Sequence, residues 1–247
     1  MTMAHVLRAE RIKFVTLPSQ WTAPLVALVL NVGISAALGA AAGPGGLSGK
    51  DPASMIYYGL NFGDVAVACL GVLLIGQEFN TRMISVSLTV IPRRGHLYLA
   101  KLTLGAGFGL LLGLVSTGLS FLAVGTTTDL DFSTPGLTRS FVAGVLYYPL
   151  MVVLCLGLTS MMGNFTAALG LLAPMVFLGT TWLAAIPGVR EVGQFLPDRA
   201  GLYALRTQTD AGVHYGHWTG LLIMALWTGA AAYGGLRATR RYDTSSK

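Results

Sequence analysis

The sequence predicts an all-α membrane protein with six transmembrane helices, an N-terminal helix at the membrane surface, a further helix between the second and third spans, and short external helices before the sixth. Three observations carry this. Six apolar segments, at 21–42, 56–76, 102–125, 141–161, 165–186 and 217–236, each hold about 20 residues or slightly more, the helix length that crosses a hydrocarbon layer of about 30 Å. Only 11% of the 247 residues are charged and 53% are hydrophobic, whereas soluble domains carry roughly 25% charged residues. The positive charge alternates between the two sides of the spans. Arg8, Arg11, Lys13, Arg82, Arg93, Arg94, Lys101, Arg237, Arg240, Arg241 and Lys247 fall on one side; Lys50, Arg139, Arg190, Arg199 and Arg206 fall on the other. Lys and Arg concentrate in cytoplasmic loops, so both termini are predicted to be cytoplasmic.

Six spans occupy about half the chain at about 20 residues each, so residues 1–247 read as one membrane domain. The net charge of +6 follows from the loop arginines and favours anionic lipid headgroups. No nucleic-acid-binding motif accompanies it, so nucleic acid is not an expected partner. Arginine outnumbers lysine twelve to four, a composition of GC-rich bacterial genomes, and the expected location is a bacterial inner membrane.

Residues 1–20 read as a cytoplasmic interfacial helix broken at Pro18. Ala4, Leu7, Phe14 and Val15 share a face on which Arg11 snorkels to the headgroups. The first span follows a basic stretch and ends in small residues, as a signal peptide does. Its apolar run is long for a signal and 20 residues precede it, so it reads as a true helix. The connection 43–52, with Pro44, Gly45 and Gly46, is a turn-rich external loop. In the third span Gly105, Gly109 and Gly113 form a small-xxx-small ladder that admits close approach of another helix. Pro149 and Pro174 each remove a backbone donor and are expected to bend the fourth and fifth spans. The connection 187–216 mixes Val189, Val192, Phe195, Leu196, Leu202, Tyr203 and Leu205 with charges. It is expected to form short helices lying at, or dipping into, the outer membrane face.

Catalytic and metal motifs fail on inspection. Gly49-Lys50 resembles the end of a P-loop, but Pro44 stands at its first glycine and Asp51 at its Ser/Thr position. Asp129 and Asp131 have no third ligand nearby, and His214 and His217 have no Cys or acidic helper. Neither H-E-x-x-H nor G-x-S-x-G occurs. No catalytic residue, metal ligand or bound cofactor is expected of this chain. Cys69 and Cys155 lie within spans and read as small apolar residues.

Two polar residues stand deep in spans. Asp64 lies about 12 Å along the second helix from its outer end at 1.5 Å per residue. A carboxylate near the bilayer centre costs roughly 2.5–3.5 kcal/mol, so Asp64 must face the bundle or water. Asn31 sits at similar depth in the first span, and a hydrogen bond between the two is expected. That pair is either a polar spot on a substrate path or an interhelix clamp.

The segment from Gln77 to Arg94 is charged at both ends and stopped by Pro92. Ile84, Leu88 and Ile91 share a helical face, although 84–90 also alternates as a strand would. A lone strand at a membrane face would have open edges, so the segment is assigned as helix.

This segment resembles the coupling region of the permease subunits of type-2 ABC exporters. Glu78, Met83, Ile84, Leu88, Pro92, Arg93 and Arg94 match that pattern in order and spacing, with Arg82 at the family's glycine position. The N-terminal helix, six spans, long external loop before the last span and size are similar too. The resemblance implies a pair of permease subunits, from the same chain or a paralogue, docked on two cytoplasmic ATPase subunits that bind ATP and Mg. ATPase closure would push on residues 77–100 and on the N-terminal helix. Glu78 and Arg82 would organise the contact, and Arg93 and Arg94 would anchor at the headgroups or the ATPase. The resemblance implies a translocation path lined by the second and fifth helices, here Asn31, Asn61, Phe62, Asp64, Val65 and Phe177, with Leu178 and Trp182 as an apolar outer gate. Its cargo would be hydrophobic or amphipathic, as in antibiotic or drug efflux. The alternatives are a membrane-embedded enzyme acting on lipid-linked substrates and a non-transporting membrane partner subunit.

Overall fold

The computed structural model describes residues 7–8, 11–12, 18–80, 94–176, 189–210 and 212–241. Among them all regular structure is helical: α1 (Pro18–Ala42), α2 (Pro52–Ile56), α3 (Leu60–Asn80), α4 (Arg94–Thr128), α5 (Leu137–Met162), α6 (Phe165–Pro174), α7 (Val189–Gly193), α8 (Pro197–Leu205) and α9 (His217–Arg241). Five of these, over Gln20–Ala42, Leu60–Gln77, Leu97–Thr128, Leu137–Met162 and His217–Thr239, are long and apolar enough to cross a membrane. The chain is a multi-pass helical membrane protein in its length and composition. The apolar helix Phe165–Pro174 is shorter, and the rest of the expected fifth span, 177–186, lies outside the described residues.

Helix bounds differ from the sequence reading most at the second and third spans. The second span does not run on from Ile56. The chain makes α2, capped by Asp51 on the Ala53 amide, turns through Tyr57–Gly59 and restarts as α3. The third helix is longer than its apolar core at both ends, beginning at Arg94 and reaching Thr128. Thr126, Thr127 and Thr128 each return their hydroxyl to a carbonyl three or four residues earlier, which satisfies the polar side chains inside the last turns. Lys101 therefore belongs to a helix and not to a loop. It is buried, and its Nζ donates to the Leu74 carbonyl of α3 at 3.0 Å.

α5 is the central helix, with Tyr147, Tyr148, Met151, Val152, Cys155 and Leu156 buried against α3, α4, α8 and α9. The predicted glycine ladder of α4 packs here. A Cβ on Gly109 would lie 2.6 Å from Pro149 Cα, one on Gly113 would lie 2.6 Å from the Val145 carbonyl oxygen, and one on Gly105 would touch Leu74 and Val152. Pro149 leaves the Val145 carbonyl without its helical donor, and Gly113 lies against that oxygen. α5 continues through Pro149 as one helix to Met162. A second close approach joins α1 to α3, where Gly59 and Gly63 lie flat against Asn31.

The helix ends sort into two layers. Ala42, Pro52, Thr128, Leu137 and the α7–α8 segment share one end, tied by contacts such as Asp51 to Thr207 and Arg139 to Ala204. Leu74, Lys101, Tyr98 and Ala232 meet at the other, where the Tyr98 hydroxyl donates to the Ala232 carbonyl at 2.9 Å. Leu7 of the N-terminal segment packs there on Leu97 and Ala100, in keeping with its expected place on an apolar face. Ala4, Phe14 and Val15 lie outside the described residues.

Candidate functional site: a buried polar network under an external helix

α8 enters the bundle because its inward residues are small or amphipathic. Ala200, Gly201 and Ala204 are buried, and a Cβ on Gly201 would collide with Met224 of α9 and Tyr147 of α5. This closeness brings Asp198, in the first turn of α8, down to the middle of α5. There the Tyr147 hydroxyl lies 2.6 Å from Asp64 Oδ2 and 2.8 Å from Asp198 Oδ1. All three side chains are buried.

The expected Asn31–Asp64 bond is not formed. Asn31 Nδ2 donates to the Tyr148 hydroxyl at 2.9 Å, and that hydroxyl lies 2.7 Å from Ser116 Oγ. The reason is geometric. Asn31 is pressed on the backbone of Gly63, next to Asp64, while successive tyrosines on α5 point about 100° apart. Each long phenol therefore reaches one of the two polar groups. Both Asn31 and Asp64 are buried as expected, joined through the edge-to-face rings of Tyr147 and Tyr148 rather than directly.

The other end of α8 is fastened by a second set of groups. Arg139 Nη1 donates to the Ala204 carbonyl at 2.7 Å and Nη2 to the Arg206 carbonyl, and Ser140 Oγ donates to the Leu205 carbonyl. These oxygens are the ones a helix C-terminus leaves without partners. The Tyr57 hydroxyl, in the turn between α2 and α3, donates to the Ser140 carbonyl at 2.7 Å. Asp51 accepts from the Thr207 amide at 3.1 Å and from the Thr207 hydroxyl while capping α2. Replacing Asp51 with Ala removes a cap and charge-assisted bonds together, and is expected to cost about 2 kcal/mol. Amide exchange at Thr207 and Gln208 should accelerate while exchange in α5 stays unchanged.

The sequence decoys resolve into structural roles. Asp131 accepts from the Ser133 amide and hydroxyl, and these bonds hold its exposed carboxyl below the usual carboxylate range. His214 Nδ1 lies 3.3 Å from Gln194 Nε2, while His217 stacks on Tyr203 and meets the Gln208 carbonyl. The two imidazoles thus serve different loop contacts. No group of three His, Cys, Asp or Glu suited to a metal occurs among the described residues. Cys69 and Cys155 are free thiols.

The residues assigned to a substrate path do not share a face. Asp64 is enclosed within the chain, Asn61 and Phe62 are exposed, and Val65 is half-buried. Asn61 bonds the Tyr58 carbonyl, and Phe62 packs on the Tyr58 ring. Phe62, Val65, Cys69 and Leu73 make a stripe of partial exposure along an otherwise buried α3. Glu78 lies in the last turn of α3 and Arg94 opens α4. Arg82, Met83, Ile84, Leu88, Pro92 and Arg93, the path residue Phe177 and the gate residues Leu178 and Trp182 lie outside the described residues.

Sequence reasoning missed Tyr147, Asp198, Arg139 and Asp51 as one lock on α8. The signal for Asp198 was present: an acid flanked by Pro197 and by Ala200-Gly201, a helix start whose next turn has no bulk on one side. Compared with protein-family models and with curated protein sequences, the chain has no match.

Proposed function

We propose that this chain is the membrane-spanning subunit of an ATP-driven exporter of hydrophobic or amphipathic compounds, working with a second permease subunit and two separate ATPase subunits that bind ATP and Mg. The observation that carries the reading is the segment from Glu78 to Arg94, which matches the coupling pattern and joins the end of α3 to the start of α4. In this reading that end, where Lys and Arg concentrate, faces the cytoplasm of a bacterial cell. The reading includes a sixth crossing between Met162, at the Leu74–Lys101 end, and Val189, at the α8 end.

In this reading the half-exposed stripe of α3, with Asn61, faces the paired subunit across the path, and Phe177 of the fifth span lies opposite. A narrow apolar stripe on a helix otherwise packed inside its own chain suits a surface covered on assembly. Asp64 is withdrawn from that face and belongs to the lock under α8. ATPase closure then pushes the coupling segment and draws α3 and α4 with it.

Glu78→Ala removes one charge-assisted contact worth about 1.5–3 kcal/mol. ATP-driven efflux of an amphipathic dye from membrane vesicles is expected to fall about tenfold per molecule with unchanged expression. Equal efflux per molecule would remove Glu78 from the coupling contact.

A further inference from the structure

We propose that the end of α9 at Tyr233 and Arg237 is a binding site for one anionic phospholipid, with Arg237 holding the headgroup phosphate and the Tyr233 ring backing the guanidinium. α9 packs on α5 and α8 through one face, where Met224, Thr228, Ala231 and Gly235 are buried. The opposite face carries Leu222, Leu226, Gly229, Ala230, Tyr233 and Arg237, all exposed. Gly229, Tyr233 and Arg237 follow one another at four-residue spacing, so they stand in one row along the helix. The row is apolar as far as the Tyr233 ring and ends in a cation.

Depth fits this chemistry. At about 1.5 Å per residue Arg237 lies about 30 Å along α9 from His217, and a hydrocarbon layer is about 30 Å thick. Tyr233, one turn earlier, stands at the hydrocarbon edge, where tyrosine concentrates. Arg237 then stands at the level of the phosphates. Its Cζ lies 5.0 Å from the centroid of the Tyr233 ring, within the range of a cation–π contact. That contact uses the face of the guanidinium and leaves its N–H donors, which match phosphate oxygens in pairs. α9 contains no Asp or Glu, and no carboxylate among the described residues pairs with Arg237.

Two features select the ligand. A zwitterionic headgroup brings its own cation to the phosphate, whereas an anionic one leaves its charge for the guanidinium, as basic groups at a membrane surface require. The neighbouring row selects a lipid over free phosphate. A Cβ on Gly229 would meet nothing within 4 Å, and Ala230 beside it is small, so the exposed face dips between Leu226 and Tyr233. An acyl chain lies along that dip while its headgroup reaches Arg237. The inference needs only that α9 crosses a membrane, and it stands apart from any ATPase partner.

The test is native mass spectrometry of the full chain released from micelles containing equal phosphatidylglycerol and phosphatidylcholine. One retained phosphatidylglycerol is expected in the unmodified chain. Its retention should fall about fivefold in Arg237→Gln and about threefold in Tyr233→Leu, and should persist in Tyr233→Phe, which keeps the ring. Both side chains are exposed, so these variants keep the fold. Arg11→Gln, which removes the same charge from another exposed position on the side rich in Lys and Arg, should leave the retained lipid in place. Equal retention of the two lipids would overturn the proposal. Equal losses in Arg11→Gln and Arg237→Gln would also overturn it, leaving diffuse attraction to the surface. Displacement of the lipid by soluble glycerophosphate would overturn it too, assigning a phosphate ion in place of a phospholipid.

Discussion

Tyr147→Phe is expected to destabilise the chain by about 3 kcal/mol, although it removes a single oxygen. The change leaves Asp64 and Asp198 buried without the hydroxyl that bridges them. Stranding a buried charged or polar group costs more than the bond itself contributed. The loss should appear as a lower denaturant midpoint in mixed micelles and as faster amide exchange across α8. Adding Asp198→Asn should restore part of it by removing one carboxyl from the pocket. Tyr233→Phe, at an exposed tyrosine of α9, should be neutral within about 0.5 kcal/mol. A Tyr147→Phe chain as stable as the original would mean that α8 is held without the Tyr147 hydroxyl, by its apolar face and by contacts such as those of Arg139 and Ser140.

Gly109→Leu is the second large effect, again about 3 kcal/mol. A side chain at this position meets backbone, with Pro149 Cα 2.6 Å from the new Cβ. Backbone cannot rotate away as a flexible side chain would, so α4 and α5 must separate and the core around Val152 and Leu156 opens. Gly107→Leu and Gly118→Leu are the controls. They lie on the same helix with nothing within 4 Å of the added Cβ. Each should change the unfolding midpoint little, and a leucine is a better helix former than glycine. Equal losses at Gly107 and Gly109 would place the cost in helix propensity or insertion rather than in packing.

These two residues mark what the sequence makes legible. The glycine ladder of α4 was readable because four-residue spacing is a property of one helix, and any partner helix would use it. The depth of Asp64 and Asn31 was readable for the same reason. Their partners were not, because a hydrogen bond across the bundle depends on which helices become neighbours. Tyr147 and Tyr148 look like ordinary aromatics in an apolar run. Asp198 looks like a favourable first-turn acid, since a carboxylate near a helix N-terminus needs no further explanation. Only the close contact of Gly201 with Tyr147 and Met224 turns it inward.

Helix ends were the other weak point. The apolar run from Ile56 hides the break at Tyr57–Gly59, where α2 is capped by Asp51 and the Tyr57 hydroxyl turns back to Ser140. The short helices expected within 187–216 correspond to α7 and α8, but only part of their apolar content is covered: Tyr203 and Leu205 are buried, whereas Val192 and Phe195 are exposed. Arg139, assigned to a loop charge count, is instead the clamp on the C-terminus of α8. Charge counting registers sign and side, and it is blind to the carbonyls that a guanidinium will satisfy.

The central claim is that this chain converts the work of a separate ATPase into movement across the membrane. The direct measurement is a mild-detergent purification of the tagged full chain from its native host, with copurifying proteins identified and ATP hydrolysis assayed. The account predicts a stoichiometric ATPase partner, together with a second permease subunit or a second copy of this chain, and turnover that disappears when the partner's ATP site is mutated. Recovery of the folded chain without an ATPase and without hydrolysis would contradict it.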